Sequence, residues 1–317
     1  MLLAAGLGER MRPLTLRMAK PALPVLDEPI VHRLARALAV QGIESLVVNL
    51  HAHPASVRRA LADAPVPVHF SLEPRRLGSG GGIGAARHWL RDAPFLVLNA
   101  DMLLELDLEA LCRSHRRSGA LATLALRDEP RKIEFGTIGY DEEGSVRRIT
   151  DLVDRGGETG SGLFIGAQIM QPAIFDHFPR SPDFEVFPDL YKPLLEQGVE
   201  ISSWLQPASS RWCPIGSPRE LLDVNLQARA GLEAAGARGS QRARGASLGG
   251  AWLGQGSRLE PGARVSADSV IGAGSRVPSG WELESCLWLP GASPRETGGP
   301  RSLRRAIAFA DEVWIDG

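Results

Sequence analysis

Along the front half of the chain, apolar runs of strand length alternate with segments of helical period. Leu2 to Gly6 is a short apolar run that ends in glycine, and Pro29 to Val40 places Ile30, Leu34, Ala37 and Leu38 on one helical face before a stop at Gly42. Ile43 to Leu50 reads as a mostly apolar run, the pattern of a strand buried on both faces. A helix over Ala55 to Ala62, a strand over Val66 to Leu72, a helix over Ile83 to Leu90 and a strand over Phe95 to Leu98 are predicted to follow. This alternation with short connections predicts a doubly wound α/β sheet, in which ligands collect at the carboxyl ends of the strands. Gly6 and Asp101 would both lie on that edge.

Farther along, Asp107 opens a helix to Arg117 that Gly119 ends, and Leu121 to Leu126 reads as another strand. Phe135 to Ile149 changes to a polar hairpin around Asp141, Glu142, Glu143 and Gly144. Ser161 to Met170 is a strand, and Phe187 to Gln197 an amphipathic helix with a stop at Gly198. Ser217, Pro218 and Glu220 combine an N-cap, a proline in first helical position and a capping-box glutamate. Periodicity fades between Ala230 and Gly245, which reads as a linker. Beyond it Leu253, Leu259, Val265, Ile271, Val277, Leu283 and Leu289 recur at six-residue intervals. Aliphatic residues at that spacing, separated by small corner residues, predict a short parallel β-helix. So short an array has open ends that need a cap or a partner, hence an expected homo-oligomer through the β-helix. The tail from Ser302 to Trp314, with Leu303, Ile307 and Phe309, could cap it or be disordered. The expected domains are 1–229 for the α/β sheet, 230–247 for the linker, 248–293 for the β-helix and 294–317 for the tail.

Composition narrows the function. The 317 residues carry a net charge of −1, without the basic excess of a general nucleic-acid binder. Three cysteines, Cys112, Cys213 and Cys286, are far apart and odd in number, which reads as neither a disulfide framework nor a zinc site and fits a reducing cytoplasm. No apolar run reaches the roughly 20 residues of a membrane span, so no membrane partner is expected. Only three of the 36 basic residues are lysines, Lys20, Lys132 and Lys192, which makes a lysine beside the leading glycine turn conspicuous.

The candidate chemistry starts at that turn. Gly6 and Gly8 leave backbone N–H groups uncovered at the end of a strand, and Arg10, Arg12 and Lys20 follow, an arrangement suited to a polyanion. No GxxxxGK[ST] is present, so the turn is not a P-loop. GLGERMRPLT followed by KP resembles the GxGxRxRPLT…KP motif of the sugar-phosphate nucleotidylyltransferases. Glu73, Pro74 and LGSGGG (Leu77 to Gly82) resemble that family's EP…LGTGGG, and FLVLNAD (Phe95 to Asp101) its FLVxNGD. Met1 abuts the first strand, where the family carries a few more residues, so either the start is misassigned or the first strand is short.

The resemblance implies a nucleotide-diphospho-sugar transferase type of sheet followed by a left-handed parallel β-helix. It implies transfer from a nucleoside triphosphate to a sugar 1-phosphate, GTP with mannose 1-phosphate or UTP with an amino-sugar 1-phosphate. Arg10, Lys20 and Asp101 would be the catalytic residues, with Asp101 holding Mg²⁺, a hard cation that prefers oxygen ligands. Leu3, Ala4, Ala5, Gly6, Gly8, Glu73, Gly80 and Gly81 would bind the nucleotide, the last two pressing their bare backbone on the base. Gly136 and Gly162 would border the sugar. His51 and His53 have no acidic neighbours in sequence and read as loop or capping residues. RWCPIGS (Arg211 to Ser217) resembles the family's WxDxGT but places Pro214 where a second metal-binding carboxylate is usual, with Asp151, Asp154 and Asp223 as candidate replacements. The EKP triplet that meets the sugar phosphate has no counterpart near Thr150 to Asp154. The alternative to an enzyme is thus a regulatory homologue that binds an NDP-sugar.

Overall fold

The run Leu46–Leu50 is buried at every position, as a strand covered on both faces must be, and it neighbours the first strand of the chain. A computed structural model describes residues 1–129, 136–234, 246–248, 251–295 and 301–316. It divides the chain into two units: residues 1–7 with 31–213, and residues 8–30 with 214–317.

The first unit is built on a ten-stranded mixed sheet. In chain order its elements are β1 (Leu2–Leu3), α1 (Ile30–Val40, whose first residue falls in the second unit), β2 (Leu46–Leu50), α2 (Pro54–Ala60), β3 (Val68–Leu72), α3 (Gly78–Ala85) and β4 (Phe95–Asn99). After them come α4 (Leu108–Ser118), β5 (Ala122–Arg127), β6 (Ile138–Tyr140), β7 (Val146–Ile149), β8 (Val153–Asp154), β9 (Gly160–Met170) and β10 (Ile201–Leu205). The order across the sheet is β8-β7-β6-β9-β4-β1-β2-β3, with β5 paired to both β9 and β10. Strands β1 to β4 run parallel, and β9 is antiparallel to β4, β5 and β6. The first strand, Leu2–Leu3, has two residues. Leu3 lies level with Asn49 of β2 on one side and Asn99 of β4 on the other. The loop leaving β1, the turn after β3 that begins with Glu73 and the corner after β4 that holds Asp101 therefore share the carboxyl rim of the sheet. Val47, Ile83, Val97, Leu124, Met170 and Tyr191 belong to the core behind it.

The second unit joins the leading turns to the C-terminal part of the chain. Residues 8–30 make three short 3₁₀ turns and a two-stranded ribbon of Pro24–Val25 with Glu28–Pro29. The fully buried Asn225 of α5 (Pro218–Ala234) receives the Leu26 N–H on Oδ1 at 2.7 Å and donates to the Pro24 carbonyl at 3.3 Å. This helix runs past the expected boundary at 229, so its last residues lie inside the expected linker. Most of the remaining linker, 235–245, lies outside the described residues, as do 130–135 at the start of the predicted hairpin and 296–300 in the tail.

The β-helix is three-sided. Leu253 pairs with Ile271, Leu259 with Val277 and Val265 with Leu283, so one full coil separates partners and each short strand forms one side. The next step corrects the sequence reading: Ile271 pairs with Trp288, not with Leu289. Ser285, at φ 53°, turns the chain early, so the step from Leu283 to the next inward residue is five. Within 301–316 the tail forms strands that join the β-helix. Ser302–Arg304 extends the side made by Arg264–Val265 and Glu282–Glu284, and Ala306–Phe309 pairs in parallel with Leu287–Trp288. Glu312–Ile315 then folds back antiparallel on Ala306–Phe309, and Ala246–Leu248 does the same at the other edge of that side. These two hairpins terminate the longest side with the chain's own strands, so the argument for an oligomer from open coil ends no longer applies there.

Candidate functional site

In the first unit the candidate site lies on the carboxyl rim. The loop leaving β1 starts with two buried small residues, Ala4 and Ala5, and reaches Gly6, where an added Cβ would meet no described atom within 4 Å. The Ala4 N–H is not available to a ligand, because it donates to Asn49 Oδ1 at 2.7 Å. Leu3 is likewise committed to the sheet, its carbonyl accepting the Ala100 N–H at 3.1 Å.

Glu73 is placed differently from the sequence expectation. It follows β3 and is only 2 % exposed. One carboxylate oxygen accepts from Asn49 Nδ2 at 2.7 Å and the other from the Leu77 N–H at 3.1 Å. Gly82 packs behind both side chains, since a Cβ there would stand 2.6 Å from Asn49 Nδ2 and 2.7 Å from Glu73 Oε1. A carboxylate enclosed in this way organises the rim from beneath. Sequence reasoning passed over Asn49, and the signal that could have found it is its polar side chain inside an otherwise apolar strand.

The glycines of α3 also meet something other than a base. Gly80 and Gly81 both donate their N–H groups to the Phe184 carbonyl, at 3.0 and 3.1 Å. A Cβ at Gly80 would stand 2.1 Å from the Phe184 ring, and one at Gly81 would stand 2.4 Å from the Pro182 carbonyl oxygen. Glu185 accepts from Ser79 N at 2.9 Å and Ser79 Oγ at 2.6 Å, so the N-terminus of this helix already carries a carboxylate of the chain. The flat ring lying on Gly80 is thus the protein's own phenylalanine.

Asp101 is half-buried just after β4. Its carboxylate is of the type a hard divalent cation accepts, and such a cation needs only one or two carboxylates when phosphate oxygens complete its shell. Among the described residues, no three of His, Cys, Asp or Glu are grouped as a metal site. Of the candidate second carboxylates, Asp151 receives the Thr150 hydroxyl at 3.1 Å, Asp154 caps the Gly156 N–H at 2.7 Å and Asp223 pairs with Arg305 at 2.7 Å. Gly162 and Gly136, assigned to the sugar, are tightly set against the chain itself. A Cβ at Gly162 would stand 3.0 Å from Leu126 Cβ, and one at Gly136 2.6 Å from Thr150 Cγ2. His51 Nδ1 lies 3.0 Å from the Glu73 carbonyl, which matches the loop-holding role expected of it.

In the second unit, the leading turns carry the candidate cations Arg10 and Lys20. Gly8 has φ 62°, and its carbonyl accepts from Met11 N at 2.9 Å and Thr15 Oγ1 at 2.8 Å. A Cβ here would stand 2.9 Å from Thr15 Cγ2 and 3.3 Å from Lys20 Cβ, so only glycine allows the turn to close on the stem of Lys20. Lys20 itself opens the turn Lys20–Ala22, whose Leu23 N–H returns to the Lys20 carbonyl at 3.1 Å. Arg10, in the turn Glu9–Met11, reaches the segment that resembles WxDxGT: its Nη2 lies 3.3 Å from the place a Gly216 Cβ would take. One of the two bonds of the predicted capping box is present there, and the glutamate reaches back one residue beyond the N-cap. Glu220 accepts from Gly216 N at 2.6 Å and Ser217 Oγ at 3.2 Å, and Glu220 N donates to Ser217 Oγ at 3.3 Å. The second unit thus presents an arginine and a lysine from one glycine turn, and the first unit an acid and a glycine loop from one sheet rim.

Comparison with known proteins shows the family. The chain is 28% identical over 297 residues to a mannose-1-phosphate guanylyltransferase of Mycobacterium tuberculosis, covering 91% of this chain and 79% of that one. It is 26% identical over 215 residues to a UTP–glucose-1-phosphate uridylyltransferase of Synechocystis, covering 63% of this chain and 55% of the relative, so it spans little more than half of that protein's length. Its fold is similar to that of HddC from Yersinia pseudotuberculosis, solved in complex with GMP-PN, with TM-score 0.59 and 23% identity over 71% of this chain and 97% of the other. The model of the nucleotidyl transferase family matches residues 1–230, and this chain belongs to that family.

Proposed function

We propose that the protein joins a nucleoside triphosphate to a sugar 1-phosphate, giving an NDP-sugar and pyrophosphate. A phosphate oxygen of the sugar attacks the α-phosphorus in line, the bond from that phosphorus to the bridging oxygen breaks, and pyrophosphate leaves with the electron pair. Two anions have to be brought together and charge has to be spread. The chain's task is therefore positioning and neutralisation, with no protein nucleophile. In this reading Arg10 and the Gly6 to Gly8 backbone hold the β- and γ-phosphates, Lys20 neutralises the region of the α-phosphate, and Gly136 and Gly162 border the sugar. Asp101 would hold Mg²⁺, which when bound supplies further positive charge against the phosphates. Glu73 and Gly80 act beneath the nucleotide, since their polar groups are spent within the chain.

The observation that carries the proposal is the closing of the Gly8 turn on Lys20 while Arg10 reaches Gly216, in a chain of the nucleotidyl transferase family. GTP with mannose 1-phosphate is the first pairing to try, because the similarity to the mycobacterial guanylyltransferase extends over 91% of the chain. UTP with a hexose or amino-sugar 1-phosphate is the next. A cytoplasmic setting is part of this proposal, and the free cysteines at 112, 213 and 286 support it. No helix among the described residues is long and apolar enough to cross a membrane.

Pro214 favours a second reading, in which the chain binds an NDP-sugar without making one. Pyrophosphate release from purified protein with Mg²⁺, screened over four nucleoside triphosphates and a panel of sugar 1-phosphates, separates the two. The transferase reading expects release in at least one pairing. It expects a loss of about 10²–10³-fold in Lys20→Ala and in Asp101→Asn, with melting temperatures unchanged. Tight NDP-sugar binding with no release in any pairing would establish the second reading.

A further inference from the structure

Asn49 and Glu73 form a buried polar bridge between two parts of the rim that are far apart in sequence. Starting at the loop that leaves β1, the Ala4 N–H donates to Asn49 Oδ1 at 2.7 Å, Asn49 Nδ2 donates to Glu73 Oε1 at 2.7 Å, and Glu73 Oε2 receives the Leu77 N–H at 3.1 Å. Leu77 immediately precedes α3. Asn49 is 3 % exposed and Glu73 2 % exposed, so the bridge is cut off from water and each bond in it counts.

Its polarity is fixed from both ends. Ala4 and Leu77 offer backbone donors, and an ionised carboxylate only accepts. The middle group must therefore accept on one side and donate on the other, which among side chains of this size an amide does. Gly82 leaves no room for the pair to slide, because a Cβ there would overlap both side chains.

We propose that Asn49 and Glu73 are positioning residues for the nucleotide: they hold the loop leaving β1 at a fixed spacing from the glycine helix, so that both meet one nucleotide. This rests on the nucleotidyl-transfer reading above. Neither residue needs to touch substrate. Both act through the backbone at Ala4 and Leu77.

The test uses a polarity exchange. Asn49→Asp sets two carboxylates against each other, and Glu73→Gln sets two amide donors against each other or against the Leu77 N–H. The double variant Asn49→Asp/Glu73→Gln restores an acceptor for Ala4, a donor–acceptor pair in the middle and an acceptor for Leu77. Each protein is assayed for binding of the four nucleoside triphosphates by titration calorimetry, for nucleotide and sugar-phosphate KM and kcat, and for amide hydrogen exchange at Ala4 and Leu77.

The expected result is a weakening of nucleotide binding by about tenfold or more in each single variant, with the KM for sugar 1-phosphate little changed. The Ala4 and Leu77 amides lose protection together, and the double variant recovers both readouts. Folded single variants that bind nucleotide as the wild type does overturn the proposal and leave the transferase reading standing. Should a single variant fail to fold, the double decides: near-wild-type binding supports the bridge, and a folded double with binding lost overturns it. A wild type that binds none of the four nucleotides overturns this proposal and the transferase reading together.

Discussion

Asp27 Oδ1 accepts the backbone N–H of Ala273 at 2.9 Å, joining the turns that carry Lys20 to a corner of the β-helix. The other carboxylate oxygen lies over Gly254, where a Cβ would stand 2.4 Å from it. Burial pushes the Asp27 carboxyl from its ordinary 3.8 up to about 6, against the smaller opposing effect of the Ala273 N–H. The folded protein therefore holds a proton there that the unfolded chain has released. The stability contributed by protonated Asp27 is complete below pH 3.8 and is lost as the pH rises through about 6. Asp27→Asn keeps an acceptor for Ala273 without a charge to bury. At pH 7.5 it should be more stable than the wild type by on the order of 1 kcal/mol, allowing for the part of the group still in water. The gain should shrink as the pH falls toward 4. Urea unfolding at both pH values checks this, and equal stability at pH 7.5 would contradict it.

The contact of Phe184 with Gly80 gives a second prediction. The Phe184 ring is held edge-on to Phe178 at 4.9 Å, and Phe178 in turn to Phe175 at 5.0 Å, so it has little freedom to move aside. Gly80→Ala inserts a methyl group 2.1 Å from this ring and should cost about 1–3 kcal/mol by overpacking. Phe184→Leu in the Gly80→Ala background removes the obstructing ring atoms and should recover part of the loss. Thermal unfolding of the three variants measures both effects. A Gly80→Ala variant as stable as the wild type would contradict the close packing of Phe184 on Gly80.

Local pattern made some of this structure legible and long-range bonding hid the rest. The buried strand at Leu46–Leu50, the capping box at Ser217 and Glu220 and the inward aliphatics at Leu253, Leu259 and Val265 are each specified by residues close together, and each was readable. The grouping of residues 8–30 with the C-terminal part of the chain was not. It depends on Leu26 meeting Asn225, Asp27 meeting Ala273 and Arg17 meeting Asp311 and Glu312, bonds between residues some 200 to 300 positions apart. At the candidate site, Asp101 and the glycine turn could be proposed from sequence because each sits at a strand end. Asn49 was missed because its partners, Ala4 and Glu73, meet it only once three strands are side by side. Glu73 looked like a ligand contact because nothing in the sequence tells an inward-facing carboxylate from an outward one.

The shortened step in the β-helix leads to the last prediction. A strict six-residue period would point Leu289 inward, yet Trp288 takes that place opposite Ile271 and Ala308. Trp288 is fully buried, meets the Trp281 ring edge-on at 6.4 Å between centroids, and donates Nε1–H to the Arg276 carbonyl at 3.3 Å. Its removal would empty the middle of the coil, where the rigid sides on three faces cannot collapse to refill it. Trp288→Ala should therefore cost about 3–5 kcal/mol, and it also leaves the Arg276 carbonyl without that donor. Leu289, though only 5 % exposed, lies outside the cluster of side chains at the centre of the coil, so Leu289→Ala should cost less. Denaturant unfolding of the two variants, followed by far-ultraviolet circular dichroism, ranks them directly. If Leu289→Ala proved the more damaging, the register would be the regular one and the early turn at Ser285 would be wrong.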